Sequence, residues 1–372
     1  MILFVGVTVL VLLMAYFCNT ADRTAICGKE KGVMTRQHAL NLWLCVGIYV
    51  ILSALSVCRI ASGNDYWEYT RMFSLIAQGR HVSSEFGFNA LVRTMQYFFG
   101  TGEYGYLPIF GLFSLLTVYF FLRTIYEQGN WFQGSLFLFL MSGYYFNSFN
   151  SVRYYLVLSI ALYSTKYVLR GEYLKFILWI LAAATFHKSV LVVIPVYLAA
   201  RFLAGVRLKR WHFFAGSVFL CSLIFCQNIY RELIFFFYPY YRDSAFDNGR
   251  LSWMNILKCV CVLVLCLICY RQSLENLKGH VANRFYFFLN LFGLVVYCCG
   301  SFIPEISRVG YYMIGFQIFL LPNLLAEMKQ GWLRRLCYAG VIAAFSVYFV
   351  FQLKGMYATD IRLLPYRNWI FN

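Results

Sequence analysis

Apolar residues in this chain run in long blocks separated by short polar interruptions. They follow neither the two-residue alternation of half-buried strands nor the one-sided stripe of helices that keep a face in water. Twelve such blocks lie near 2–18, 38–58, 105–126, 131–149, 152–169, 173–186, 189–204, 213–229, 253–270, 285–302, 309–326 and 334–353. Most approach the ~20 residues a helix needs to cross a bilayer core. The pattern therefore predicts an all-α, polytopic helical membrane protein of about twelve spans. The blocks at 173–186 and 189–204 are short, so one of them is expected to be tilted or broken. Residues 2–18 are read as a first helix, since neither a basic n-region nor a small-residue cleavage site accompanies them. Proline is rare, at six residues, so few helices are expected to break at one.

Composition agrees. Hydrophobic residues make up 61% of the 372 residues and charged residues only 13%, against about 25% charged in a typical soluble domain. Such a surface cannot be covered by polar groups in water, which excludes a soluble enzyme, a disordered tail and a secreted disulfide scaffold. The net charge of +17 would suggest nucleic acid in a soluble protein. In a membrane protein it fits positive-inside loops or a need to bind phosphate. Arginine exceeds lysine about two to one, which leans toward phosphate because guanidinium grips it bidentately. The CxxC at Cys266 and Cys269 lies inside an apolar block and reads as packing rather than a metal or redox site.

Lys and Arg density in alternate loops sets the orientation. One set holds Arg23, Lys29, Lys31 and Arg36, then Arg170 and Lys175, then Arg207, Lys209 and Arg210. It continues with Arg271, Lys278 and Arg284, and ends with Lys329, Arg334 and Arg335. This set is expected to be cytoplasmic, with both termini outside. The chain then reads as one transmembrane domain over 1–372. An extracytoplasmic loop with an amphipathic helix covers 59–104, and a second extracytoplasmic loop covers 230–252.

On this topology the polar blocks gather on the outer side. They are Arg59 through Gly63-Asn64-Asp65-Tyr66-Trp67-Glu68-Tyr69, then Ser84-Glu85-Phe86-Gly87-Phe88-Asn89, Asn147 to Arg153, and Thr185-Phe186-His187-Lys188-Ser189. Glu305, Arg308, Tyr311 and Tyr312 follow near helix eleven, with Arg242, Asp243, Asp247 and Arg250 in the loop before helix nine. Arg59…Gly63-Asn64-Asp65-Tyr66…Tyr69, Glu85-Phe86-Gly87-Phe88, Asn150-Ser151-Val152-Arg153 and Phe186-His187-Lys188-Ser189 resemble the signature blocks of the EpsG family. The resemblance is strongest over 55–200, and Arg308…Tyr311-Tyr312 is a thinner match. One departure is Tyr154, where the family usually follows its Arg with Gln.

The resemblance implies a Wzy-like polymerase of exopolysaccharide, capsule or O-antigen in the bacterial inner membrane, with a GT-C-like architecture and a site on the extracytoplasmic face. Donor and acceptor would both be undecaprenyl-diphosphate-linked oligosaccharides, with no nucleotide sugar, cofactor or metal. Membrane lipid and a chain-length regulator would be its other partners, and nucleic acid would not be one.

The chemistry suits these residue types. A polyprenyl-diphosphate sugar is already activated, so the enzyme must hold the diphosphate, stabilise the charge growing on it and deprotonate an acceptor hydroxyl. Arg153, Arg59, Arg308 and Lys188 are the candidate diphosphate ligands. His187, Asp65 and Glu85 are the candidate catalytic groups. Tyr66, Tyr69, Asn150 and Tyr311 are the candidate sugar contacts. Each has a plainer reading. Arg153 could snorkel at the interface, and Asp65 and Glu85 could cap helices. His187 could be a satisfied structural residue, Arg59 and Arg308 could make surface pairs, and the tyrosines could form an interfacial belt.

Phosphate-loop, dinucleotide, zincin and nucleophile-elbow motifs are all missing from the sequence. Two other classes remain open. A lipid-linked oligosaccharide flippase would need ionisable groups deep in the spans, where Lys258 is the chief candidate. A single-addition transferase using a polyprenyl-monophosphate sugar, or an O-acyltransferase built on His187, would share the outer site but differ in donor.

Overall fold

The computed structural model describes residues 1–18, 36–242, 244, 249–272, 281–357 and 363–370. Arg23, Lys29, Lys31, Asp243, Asp247 and Lys278 therefore lie outside the described residues. The described chain is helical, with two isolated β-bridges, Arg59 to Asn368 (antiparallel) and Tyr357 to Leu364 (parallel). Each of the twelve apolar blocks coincides with one helix or a broken pair.

The helices are α1 (Ile2–Tyr16), α2 (Arg36–Val57), α3 (Tyr66–Ala77), α4 (Phe86–Phe99), α5 (Leu107–Gln128), α6 (Phe132–Met141), α7 (Tyr144–Asn147) and α8 (Val152–Arg170). They continue with α9 (Tyr173–Ala184), a 3-10 turn (Lys188–Val192), α10 (Val193–Gly205), α11 (Arg210–Phe225), α12 (Gln227–Phe237), α13 (Trp253–Gln272), α14 (Val281–Cys299), α15 (Ile306–Ile314), α16 (Gln317–Glu327) and α17 (Trp332–Gly355). Six segments among the described residues are long and apolar enough to cross a bilayer: α2, α5, Lys188–Gly205, α14, Ile306–Glu327 and α17. A seventh is added if α11 and α12, bent by 76° at Cys226, form one broken span. Shorter apolar helices at α1, α6, α9 and within α13 accompany them. The chain is a multi-pass membrane protein.

Three stretches are less regular than their hydropathy suggests. The block at 131–149 splits at Ser142 and Gly143 into α6 and α7. That at 309–326 splits at Gly315 and Phe316, and α16 carries Pro322 in its interior. The loop expected over 230–252 begins as α12, whose buried residue is Phe235, followed by a 3-10 turn at Pro239–Tyr241. Hydropathy counts apolar residues but does not register where backbone hydrogen bonding is interrupted, which is why these breaks were not expected.

Two compact units make up the chain. The first comprises Met1–Ser164, Leu174–Leu191 and Arg335–Asn372. Its core is aromatic: Phe4 stacks on Phe146 with ring centroids 4.7 Å apart, and Tyr145 donates its hydroxyl to the Leu52 carbonyl at 2.7 Å. The second comprises Thr165–Tyr173 and Val192–Arg334. There, polar side chains bond between helices inside an apolar core. Gln317 donates to Asn290 Oδ1 at 2.7 Å, and Asn323 donates to Asn283 Oδ1 at 2.9 Å. Asn283 in turn donates to Glu327 at 3.0 Å. Such bonds hold helices together where lipid offers no hydrophobic contrast.

Candidate functional site

The polar blocks of the first unit meet at one end of it. They arrive from the C-terminal end of α2, the N-terminal end of α4, the start of α8 and the end of α9.

Two tight approaches set the frame. Gly63 adopts φ +104°, and a Cβ there would lie 2.2 Å from the Phe149 carbonyl oxygen. Gly87 donates its N–H to the Thr185 carbonyl at 2.8 Å, where a Cβ would lie 2.4 Å from the Thr185 hydroxyl. Only glycine lets these backbones come together. The Gly63 contact presses the 61–65 turn onto the 149–151 turn, and Asn64 N–H reaches Asn150 Oδ1 at 3.2 Å. Asp65 is half-buried beside them and accepts the Ser151 hydroxyl at 2.5 Å. The Gly87 contact brings the start of α4 to the His187 turn. Ahead of it, Ser84 and Asn89 close the loop on themselves, with Ser84 Oγ 2.6 Å from Asn89 Oδ1.

Glu85 is thereby aimed at the bundle. Its Oε2 receives Arg153 Nη1 at 2.7 Å, and its Oε1 receives the Lys188 backbone N–H at 3.2 Å. Both side chains of the Arg153–Glu85 pair are about one-sixth exposed, at 15% and 16%. The Arg153 guanidinium also lies over Phe88 at 4.7 Å and Tyr69 at 5.4 Å, and the charge of Asp65 reaches it as well. His187, half-buried, packs edge-on to Tyr154 with centroids 5.9 Å apart, and its Nδ1 is 2.8 Å from the Ser189 hydroxyl. Ser189 N–H also points to Nδ1, at 3.4 Å. An Nδ1 that accepts from a backbone N–H leaves the ring proton of the neutral imidazole on Nε2.

These contacts remove two of the plainer readings. Asp65 and Glu85 occupy N-cap positions of α3 and α4, yet neither side chain makes a capping bond. Both carboxylates are committed to residues tens of positions away. Arg153 does not snorkel; it turns inward to Glu85. Lys188 takes part through its backbone, while its side chain is exposed.

Two expectations change. Tyr66 and Tyr69 are 1% and 7% exposed, and Tyr66 stacks on Phe110 at 4.6 Å. Their faces are filled by neighbouring rings, so they wall the site and offer no open platform for a sugar. Burial pushes the Tyr66 phenol well above its ordinary value. Arg59 is wholly buried, so no surface of it faces a diphosphate. Its Nη1 donates to the Ser56 carbonyl (2.6 Å), the Ser56 hydroxyl (2.8 Å) and the Ser114 hydroxyl (3.0 Å). Its plane lies over Phe149 at 4.8 Å and Phe110 at 5.6 Å. Burial lowers its pKa to about 10, so it stays charged at neutral pH. Arg308 and Tyr311 belong to the second unit, where Arg308 pairs with Glu305 at 3.0 Å.

Ser56, Ser114, Ser151 and Tyr154 join the site without having been singled out as candidates. Isolated serines carry no pattern, although Tyr154 was marked by standing where the family has Gln. The segment 363–370, which pairs with the exit of α2, also carried no signal.

No curated protein and no solved structure matches the chain. A family model described as the EpsG family, by contrast, matches residues 42–368. That stretch takes in every block gathered in the first unit and Arg308 and Tyr311 in the second. The chain belongs to the EpsG family, a family of Wzy-like polysaccharide polymerases.

Proposed function

We propose that the protein polymerises undecaprenyl-diphosphate-linked oligosaccharide repeat units into an exopolysaccharide or capsule, at the extracytoplasmic face of the bacterial inner membrane and on a GT-C-like bundle of about twelve spans. The observation that carries this reading is the inward-turned Arg153, fixed by Glu85 within one polar end that also holds Asp65 and His187.

In this reading Arg153 neutralises the leaving diphosphate. Fixed cations in a water-poor site stabilise developing phosphate charge without reorganising. His187, with its proton on Nε2, donates to the same oxygens. Asp65 keeps Oδ1 for the acceptor hydroxyl and serves as the base. The acceptor oxygen bonds to the anomeric carbon as its proton passes to Asp65. The bond from that carbon to the phosphate oxygen breaks, and its electron pair leaves with undecaprenyl diphosphate. Glu85 is a positioning residue here, because both of its oxygens already accept hydrogen bonds. Asn150 orients the Asp65 turn. The exposed Lys188 side chain binds the flanking glycan or lipid headgroup.

The test is extension of lipid-linked repeat units by purified protein in detergent. Wild-type protein lengthens them, whereas the Arg153→Ala variant leaves single units. Failure of the wild type to lengthen them, together with their movement across vesicles, would favour a flippase instead. Extension by one sugar from a polyprenyl-monophosphate donor would make it a single-addition transferase.

A further inference from the structure

The last turn of α2 leaves carbonyls without helical donors, and a distant segment supplies them. Tyr366 Oη donates to the Leu55 carbonyl at 2.9 Å, Trp369 Nε1 to Val57 at 3.2 Å and Trp369 N–H to Cys58 at 3.0 Å. In return, Ile60 N–H donates to the Arg367 carbonyl at 3.0 Å. These four bonds bracket Arg59, whose Nε and Nη2 are buried without hydrogen-bond partners. What keeps that guanidinium in place is its Nη1 serines and the rings of Phe110 and Phe149, with the Tyr145 and Tyr366 hydroxyls near enough to act on its charge.

Immediately beyond Arg59 the chain enters an unfavourable conformation. Ala61 has φ +51°, a left-handed setting that a side chain disfavours, and Gly63 has φ +104°. Ser62 between them is 1% exposed. A turn of this kind persists only where its surroundings hold it. On one side the holding contact is Phe149 and Asn150; on the other it is the bonded frame of Arg59 and residues 366–369.

We infer that the 363–370 segment is a latch that caps α2, closes the bonded frame around Arg59 and holds the 61–65 turn so that Asp65 faces Arg153, with Tyr366 and Trp369 as positioning residues. This rests on the polymerase reading for its activity readout, but not for its structural one. The latch predicts that turnover depends on side chains that touch neither the glycan nor the diphosphate.

The experiment uses the full chain with a cysteine at Ser62, its exposed native cysteines replaced, in membranes and as purified protein. Wild type, the double variant Tyr366→Phe/Trp369→Phe, a chain lacking 363–372 and Arg153→Ala are compared. In the double variant the cysteine is expected to react with an impermeant maleimide at least tenfold faster than in the wild-type frame. Its kcat for repeat-unit extension falls about tenfold or more while KM stays within twofold. The shortened chain shows larger effects, and a synthetic 363–372 peptide partly restores both readouts. Should the shortened chain fail to accumulate, the double variant decides alone. Unchanged labelling and normal kcat in that variant, beside an inactive Arg153→Ala, overturns the latch and leaves the polymerase reading standing. Faster labelling beside a fully active Arg153→Ala overturns the polymerase reading and leaves the latch standing.

Discussion

Of the arginine–glutamate pairs among the described residues, Arg153–Glu85 in the first unit and Arg308–Glu305 in the second differ most usefully in how they are made. Arg308 and Glu305 are three residues apart, bond at 3.0 Å and keep 31% and 23% of their side chains exposed. A pair so close in sequence can form wherever the local turn forms, and exposed pairs of this type contribute little. Arg153 and Glu85 are 68 residues apart, bond at 2.7 Å and are less exposed, at 15% and 16%. They meet only because Gly87 docks on Thr185 and because two aromatic rings cover the guanidinium. Desolvating two charges is costly, and a well-packed apolar pair would often stabilise as much or more. The first pair is therefore accounted for by local geometry. The second has no such local account, and the proposed function assigns it the chemistry of a fixed cation.

The comparison breaks if the two arginines turn out to matter equally. The largest effect is expected for Asp65→Asn, with loss of repeat-unit extension of about 10²–10⁴-fold, the usual worth of a general base. Arg153→Ala should follow at about 10²–10³-fold, read as polymer length on gels and as accumulated single units. That substitution strands Glu85, at a stability cost of about 3–5 kcal/mol. The double variant Glu85→Gln/Arg153→Met is the sharper probe: thermal stability in detergent should recover while extension stays absent. Gly87→Ala should come next, destabilising by about 1–3 kcal/mol through overpacking against Thr185, with lower protein level and reduced extension. Arg308→Ala should be smallest, under about 1 kcal/mol in stability and within a few-fold in extension.

How much of this was legible in the sequence follows the same divide between local and distant contacts. Each apolar block announced its helix, and the polar blocks announced which segments would be special. The amphipathic helix at 86–99 could be read from its faces, with Phe88 and Val92 now buried and Phe86, Tyr97 and Phe98 exposed. Hydropathy alone could not show whether Asp65 and Glu85 cap their own helices, since an N-cap position looks the same whether its carboxylate turns to the backbone or away. Arg59 looked like a ligand because charge suggests exposure, yet Ser56, Ser114 and two phenylalanine rings enclose it. Tyr66 and Tyr69 looked like surface aromatics because nothing in a sequence marks which rings will stack upon one another. Ser151 and Trp369 were silent for a related reason. Their roles are hydrogen bonds to residues 86 and about 310 positions away, and no local pattern encodes a partner at that distance.

The bonds from residues 366–369 to residues 55–60 also set a schedule for biogenesis. By the time Tyr366 leaves the ribosome, α2 has long since been handed to the membrane, with the carbonyls of its last turn waiting. The helices of the first unit can insert and associate during synthesis, but the set of hydrogen bonds around Arg59 closes only afterwards. Maturation of this end of the protein is thus a post-insertion event, so a nascent chain stalled before residue 366 would be embedded in the bilayer with its polar end still open.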